Sequence, residues 1–128
     1  MDLDIRGRSA VITGASKGIG RAVAERLAAE GVNVHLVART VTALETAASE
    51  LKDRYEVDAG FSALDLSVGS NVDQLFADYS GTIDILVNNA GAIPGGSIDR
   101  VDETTWRQAW DLKVFGYINM CRLAYDRM

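Results

Sequence analysis

Thr13-Gly14-Ala15-Ser16-Lys17-Gly18-Ile19-Gly20 is the stretch on which the fold turns. Upstream of it, Ser9–Thr13 (SAVIT) is a short apolar run that stops at Gly14, the pattern of a buried strand entering a turn. Downstream, Ile19, Ala22, Val23 and Leu27 recur at helical spacing, and Gly31 follows as a residue just past a helix end. The unit is strand, glycine turn, helix. Glycines in such a turn let the backbone approach a ligand closely and let the helix pack tightly on the strand. The helix N-terminus offers unpaired N–H groups and a partial positive charge, which together suit a pyrophosphate. A tight turn without a ligand uses the same glycines. The spacing also matches neither G-x-G-x-x-G nor G-x-x-x-x-G-K, so the turn alone leaves both readings open.

The alternation continues. Val32–Ala38 reads as a second strand, and Thr40 is placed to cap a helix striped by Leu44, Ala47, Ala48 and Leu51. Val57–Leu64 reads as a third strand. Ser67 is placed to cap a helix carrying Val68, Val72, Leu75, Phe76 and Tyr79 on one face, and Ile83–Val87 reads as a fourth strand. Strands alternating with helices of this length imply right-handed crossovers and a parallel sheet covered on both sides, an α/β fold. From Asp102 onward the pattern is helical. Within Trp106–Ala124, apolar positions from Trp110 to Leu123 run almost all the way round, so that helix is expected to be buried on two sides. No repeat, low-complexity segment or linker divides residues 1–128, which read as one domain.

Composition narrows the function classes. Of the 128 residues 48% are apolar and 24% charged, inside the ordinary globular range, and the net charge is −5 with acids and bases interspersed. Such a chain is not built to bind nucleic acid or an anionic membrane, and a small-molecule partner is expected. Any basic residue that matters must act locally. The lone Cys121 has no disulfide partner within the chain and is assigned to packing, as is His35 in the second strand. MDLDIRGRSA is too acidic for a signal peptide, and no apolar run approaches the roughly 18 residues of a membrane-spanning helix, so a cytoplasmic location is expected. No metal-ligand set is assigned.

Three motifs taken together resemble a known family. T-G-x-x-x-G-x-G at Thr13–Gly20, Asp65 after the third strand (ALDLS) and Asn88-Asn89-Ala90-Gly91 after the fourth stand in the order, and on the elements, of the short-chain dehydrogenase/reductase pattern. The resemblance covers nearly the whole chain. It implies a Rossmann-like doubly wound sheet with strand order 3-2-1-4, incomplete relative to the full family fold, and an oxidoreductase moving hydride between a nicotinamide dinucleotide and a carbonyl or alcohol carbon. It also implies roles. Gly14, Ser16, Gly18, Ile19 and Gly20 would line the pyrophosphate and nearby ribose. Asp65 and Leu66 would meet the adenine, and Asn88, Ala90 and Gly91 would bound the nicotinamide ribose. Asn89 is better read as satisfying strand-end backbone groups, and the plain alternative for Asp65 is a loop residue. At the end of the second strand, where NAD-selective sites of this architecture carry an acid, stands Arg39. Arg39 and the nearby Lys17 therefore favour NADP over NAD as phosphate-gripping cations.

The family's catalytic pair is Tyr-x-x-x-Lys with a preceding serine. Here Tyr55, Tyr79 and Tyr117 are followed four residues on by Ala59, Ile83 and Cys121, and Tyr125 has no such position after it. The chain is therefore expected to be part of a longer protein and inactive alone, with a non-catalytic dinucleotide-binding or assembly module as the alternative. Lys113 aligns with an asparagine that the family uses in its proton relay. A relay role and a lysine snorkelling from a buried helix both remain open for it. Homodimer or homotetramer assembly through helix 106–124 is implied by the family and by the helix's two apolar faces.

Overall fold

A computed structural model describes residues 1–128. The chain runs β1 (Ser9–Thr13), α1 (Gly18–Ala29), β2 (Asn33–Ala38), α2 (Val41–Tyr55), β3 (Ala59–Ala63), α3 (Gly69–Asp78), β4 (Ile85–Val87), α4 (Glu103–Trp110), a π-helical turn (Asp111–Gly116) and α5 (Tyr117–Tyr125). All strand pairs are parallel and the sheet order is β3-β2-β1-β4, as the resemblance implied. β1 is central, with Ile12 opposite Leu36 on one side and opposite Val87 on the other.

Side-chain alternation along β1 builds two cores. Ala10 and Ile12 face α1 and α2, where they pack with Ala24, Ala28, Val34, Leu36, Leu44, Ala47, Ala48 and Leu51. Val11 faces the opposite way, toward Leu66, Val72, Leu75, Phe76, Ile83, Met120 and Ala124, contributed mainly by α3 and α5. Ile12, Leu36, Leu44 and Leu51 are at most 1% exposed, and burying each such side chain contributes about 1.5–3 kcal/mol. These two layers clamp β1 and leave its C-terminal end open above the sheet.

Several boundaries differ from expectation for identifiable reasons. β3 is shorter than Val57–Leu64 because Glu56 takes a left-handed conformation (φ 55°) and Val57 packs as a loop residue before pairing begins. β4 begins at Ile85 because the Asp84 carboxylate accepts from the Ser9 N–H at 2.8 Å and marks the start of the ladder. Ser67 does not cap α3. Its hydroxyl and N–H both bond Asp65 Oδ1, at 2.7 and 3.0 Å, and Val68 stands at the cap position instead. Thr40 stands at the cap of α2 but makes no side-chain cap bond.

The region 106–124 is not one straight helix. α4 starts at Glu103, where Asp102 Oδ1 accepts from Thr105 N at 2.9 Å, and the π turn inserts between α4 and α5. Ala109, Gly116, Met120 and Ala124 face inward, whereas Trp110 and Phe115 are each 55% exposed and Ile118 is 47% exposed. Only one of the two apolar faces is therefore covered. Cys121 lies on the exposed side and is not a core residue. β4 pairs with β1 alone, so its outer edge is open. His35 is half-buried in β2, bonded to Ser62 Oγ at 2.7 Å and edge-on to Tyr79, and burial lowers its pKa. No helix is long and apolar enough to cross a membrane.

Candidate functional site

The open C-terminal end of the sheet carries a cleft of about 380 Å³. In open parallel sheets, ligands bind in the crevice beyond the strand ends, where neighbouring connections diverge. Here the connection after β1 leads to α1, and that after β4 leads through α4 and the π turn to α5, which packs in the core on the opposite face of the sheet. Among the residues lining the cleft are Gly14, Ser16, Lys17, Gly18 and Ile19 from the first turn, and Arg39 and Thr40 from the second. Asp65 and Leu66 come from the third turn, and Ala90 and Gly91 from the fourth.

The floor of the cleft is the start of α1. Lys17 stands at its cap position without a side-chain bond, and the N–H groups of Gly18, Ile19 and Gly20 find no acceptor within the chain. An uncapped helix terminus aimed at a cleft suits an anion. Gly18 has φ +59°, and a Cβ there would meet nothing within 4 Å, so the space above it is open to a ligand. Gly20 differs, because a Cβ there would lie 2.3 Å from Gly14 O. Its role is to let α1 dock against the turn. Gly20 is not among the residues lining the cleft, although its N–H, like those of Gly18 and Ile19, has no acceptor within the chain.

Thr13 holds the two inner turns together. It is fully buried, its hydroxyl donates to Val87 O at 3.3 Å, and Oγ1 accepts from Asn89 N and Ala90 N at 3.0 Å each. Asn89 Nδ2 adds a bond to Gly14 O at 3.2 Å, which matches its structural reading. The sequence reading gave Thr13 no role of its own. The available signal was a polar residue closing an otherwise apolar strand. Asn88 turns away from the cleft. Its Nδ2 donates to Cys121 Sγ at 3.2 Å, and its Oδ1 is buried without a partner.

Charge is distributed unevenly in the cleft. Lys17 and Arg39 are exposed, and neither enters an ion pair. The two hydrogen bonds from Ser67 hold the Asp65 carboxyl below the usual carboxylate range, and the Arg39 guanidinium lowers it further. Both Ser67 bonds go to Oδ1, so Oδ2 has no partner in the chain and is free to accept from a ligand amino group. On the far side, Leu112 of the π turn closes the cleft, and the neighbouring Lys113 lies against Gly91. Asn89 and, outside the motif reading, Val37, Ala38, Leu64, Ala92 and Leu112 complete the lining.

The strand order and the cleft above it define a Rossmann-like α/β domain. The chain belongs to the short chain dehydrogenase family, whose model matches residues 8–128. It is 38% identical over 128 residues to 3beta-hydroxysteroid dehydrogenase 1 of Eggerthella lenta, covering 96% of this chain and 48% of that protein. The fold is similar to that of L-sorbose reductase from Gluconobacter frateurii complexed with NADPH and L-sorbose (TM-score 0.93, 38% identity, covering 100% of this chain and 50% of that one). It is also similar to an alcohol dehydrogenase from Thermococcus sibiricus complexed with 5-hydroxy-NADP (TM-score 0.90, 30% identity, covering 95% and 53%). The chain thus spans about half the length of each of these relatives.

Proposed function

We propose that this chain is the cofactor-binding half of an oxidoreductase that uses NADP(H) to interconvert a carbonyl compound and its alcohol. The observation that carries the reading is the pairing of an uncapped α1 terminus with two unpaired cations, Lys17 and Arg39, along one wall of the cleft. The solved relatives in complex with NADPH and 5-hydroxy-NADP support the same cofactor. The N–H groups of Gly18, Ile19 and Gly20 would hold the pyrophosphate. Arg39 would grip the 2′-phosphate with its planar fork, with Lys17 as a second charge and Ser16 beside it. Asp65 Oδ2 would accept from the adenine amino group, and Ala90 and Gly91 would bound the nicotinamide ribose. The bound dinucleotide supplies the hydride; this chain's residues orient it and neutralise its phosphates.

The remaining chemistry calls for a tyrosine–lysine pair that no tyrosine of this chain forms. We place that pair, and the substrate pocket, in further chain belonging to the same protein. The exposed Trp110, Phe115 and Ile118 and the open edge of β4 favour cover by such chain or by a second subunit, giving a homodimer or homotetramer. A reducing, cytoplasmic setting suits the unpaired Cys121. Fluorescence titration of the purified chain tests the cofactor assignment. NADPH should bind at least about tenfold tighter than NADH, since a charge-assisted phosphate contact contributes roughly 1.5–3 kcal/mol. Equal affinities would remove the 2′-phosphate assignment.

A further inference from the structure

Lys113, which the phosphate assignment leaves unused, lies against Gly91 at the rim of the cleft. The π turn carries it against the Asn88–Gly91 segment. A Cβ built on Gly91 would lie 3.6 Å from Lys113 Nζ and 3.7 Å from its Cδ, so the extended side chain lies alongside that glycine. Gly91 and Leu112, on either side of this contact, both line the cleft. The ammonium is exposed and makes no ion pair or hydrogen bond with any group of the chain. The acid nearest to it in sequence is Asp111, and residues two apart on a helix do not face each other. An unneutralised positive charge therefore lies beside Gly91, where the fourth turn lines the cleft. π turns inserted in α-helices recur at functional sites, where they re-aim a side chain that a regular helix would direct elsewhere.

With the dinucleotide bound as proposed, Ala90 and Gly91 bound the nicotinamide ribose beside Lys113, and the inference rests on that proposal. The oxidised nicotinamide ring carries a positive charge and the reduced ring carries none. A fixed ammonium beside the ring repels the first and is indifferent to the second. We infer that Lys113 is a charge-selecting residue that makes this site prefer NADPH over NADP⁺, and so biases the protein toward carbonyl reduction. Two like charges several ångströms apart in a partly solvated cleft change a dissociation constant by about three- to thirtyfold. The preference weakens as salt screens the pair.

The test is the ratio of dissociation constants, NADP⁺ over NADPH, measured by calorimetry on the wild-type chain and on Lys113→Met and Lys113→Arg. The inference predicts a ratio at least about threefold lower in Lys113→Met, with most of the change in NADP⁺ binding, and a near wild-type ratio in Lys113→Arg. Circular dichroism confirms that each variant is folded, and an exposed position should tolerate both. A ratio unchanged in Lys113→Met, with both cofactors still bound, overturns the role of Lys113 and leaves the cofactor site standing. Failure of the wild-type chain to bind either form overturns the cofactor reading and this inference with it.

Discussion

Replacing Thr13 by valine keeps the branched side-chain shape and removes one hydroxyl from a fully buried position. That hydroxyl makes three hydrogen bonds, one donated to Val87 O and two accepted from Asn89 N and Ala90 N. Orphaning a buried polar group costs about 1–3 kcal/mol. Asn89 and Ala90 are only half-buried, so water can recover part of the loss, and the three together should amount to about 2–4 kcal/mol. For a domain near this size that lowers the thermal midpoint by roughly 10 °C or more. Urea unfolding followed by circular dichroism gives the free energy directly. Thr13→Ser, which keeps the oxygen, should lose less than half as much. Thr13→Val should also weaken NADPH binding, because the Asn88–Gly91 turn loses its tie to β1. A Thr13→Val variant within about 0.5 kcal/mol of wild type would show that these bonds do not hold the turn, and the reasoning would fail.

Further outcomes follow from the same geometry. Gly20→Ala puts a Cβ 2.3 Å from Gly14 O and should destabilise the chain by at least about 3 kcal/mol, whereas Gly18→Ala meets open space and should cost only the roughly 1 kcal/mol of a left-handed alanine; urea midpoints distinguish them. Leu51→Ala should cost about 2–5 kcal/mol in the same assay while leaving the cleft residues in place. Asp65 has a carboxyl pKa depressed by Ser67, so its contribution to stability is fully present above the ordinary carboxylate value near 3.8 and is lost as pH falls through the lower folded value. Ser67→Ala should remove the hydroxyl's share of that contribution, the largest, leaving the backbone N–H bond, and bring acid unfolding to a higher pH, measured by circular dichroism between about pH 2 and 5. Arg39→Glu should reduce NADPH affinity at least about tenfold and narrow or invert the preference over NADH, measured by fluorescence titration.

Local patterns in the sequence specified the order of strands and helices because each element buries a stripe of apolar residues against one sheet. Ser9–Thr13 and the Leu44–Leu51 stripe could be read this way without any tertiary information. The strand order came from family resemblance, since periodicity does not say which strand pairs with which. What could not be read was competition between neighbouring polar groups. Ser67 looked like a helix cap, but the Asp65 carboxylate takes both of its donors, a choice set by distances that only the folded turn fixes. Thr13 and Asn88 illustrate the same limit. One is a strand residue whose hydroxyl ties two distant turns, and the other is a motif asparagine whose amide turns to Cys121. The π turn was invisible to a 3.6-residue period, and with it the approach of Lys113 to Gly91.

On the reading proposed above, the open end of the sheet binds a phosphorylated nicotinamide dinucleotide through the first turn and Arg39. An NMR titration of the isotope-labelled chain with NADPH tests it most directly. The amide signals of Gly18, Ile19, Gly20, Arg39, Asp65, Ala90 and Gly91 should shift together to saturation, while those of the exposed Ser49 and Asp53 of α2 should not. Shifts confined to the exposed α4–α5 face, or no saturable shifts at all, would contradict it.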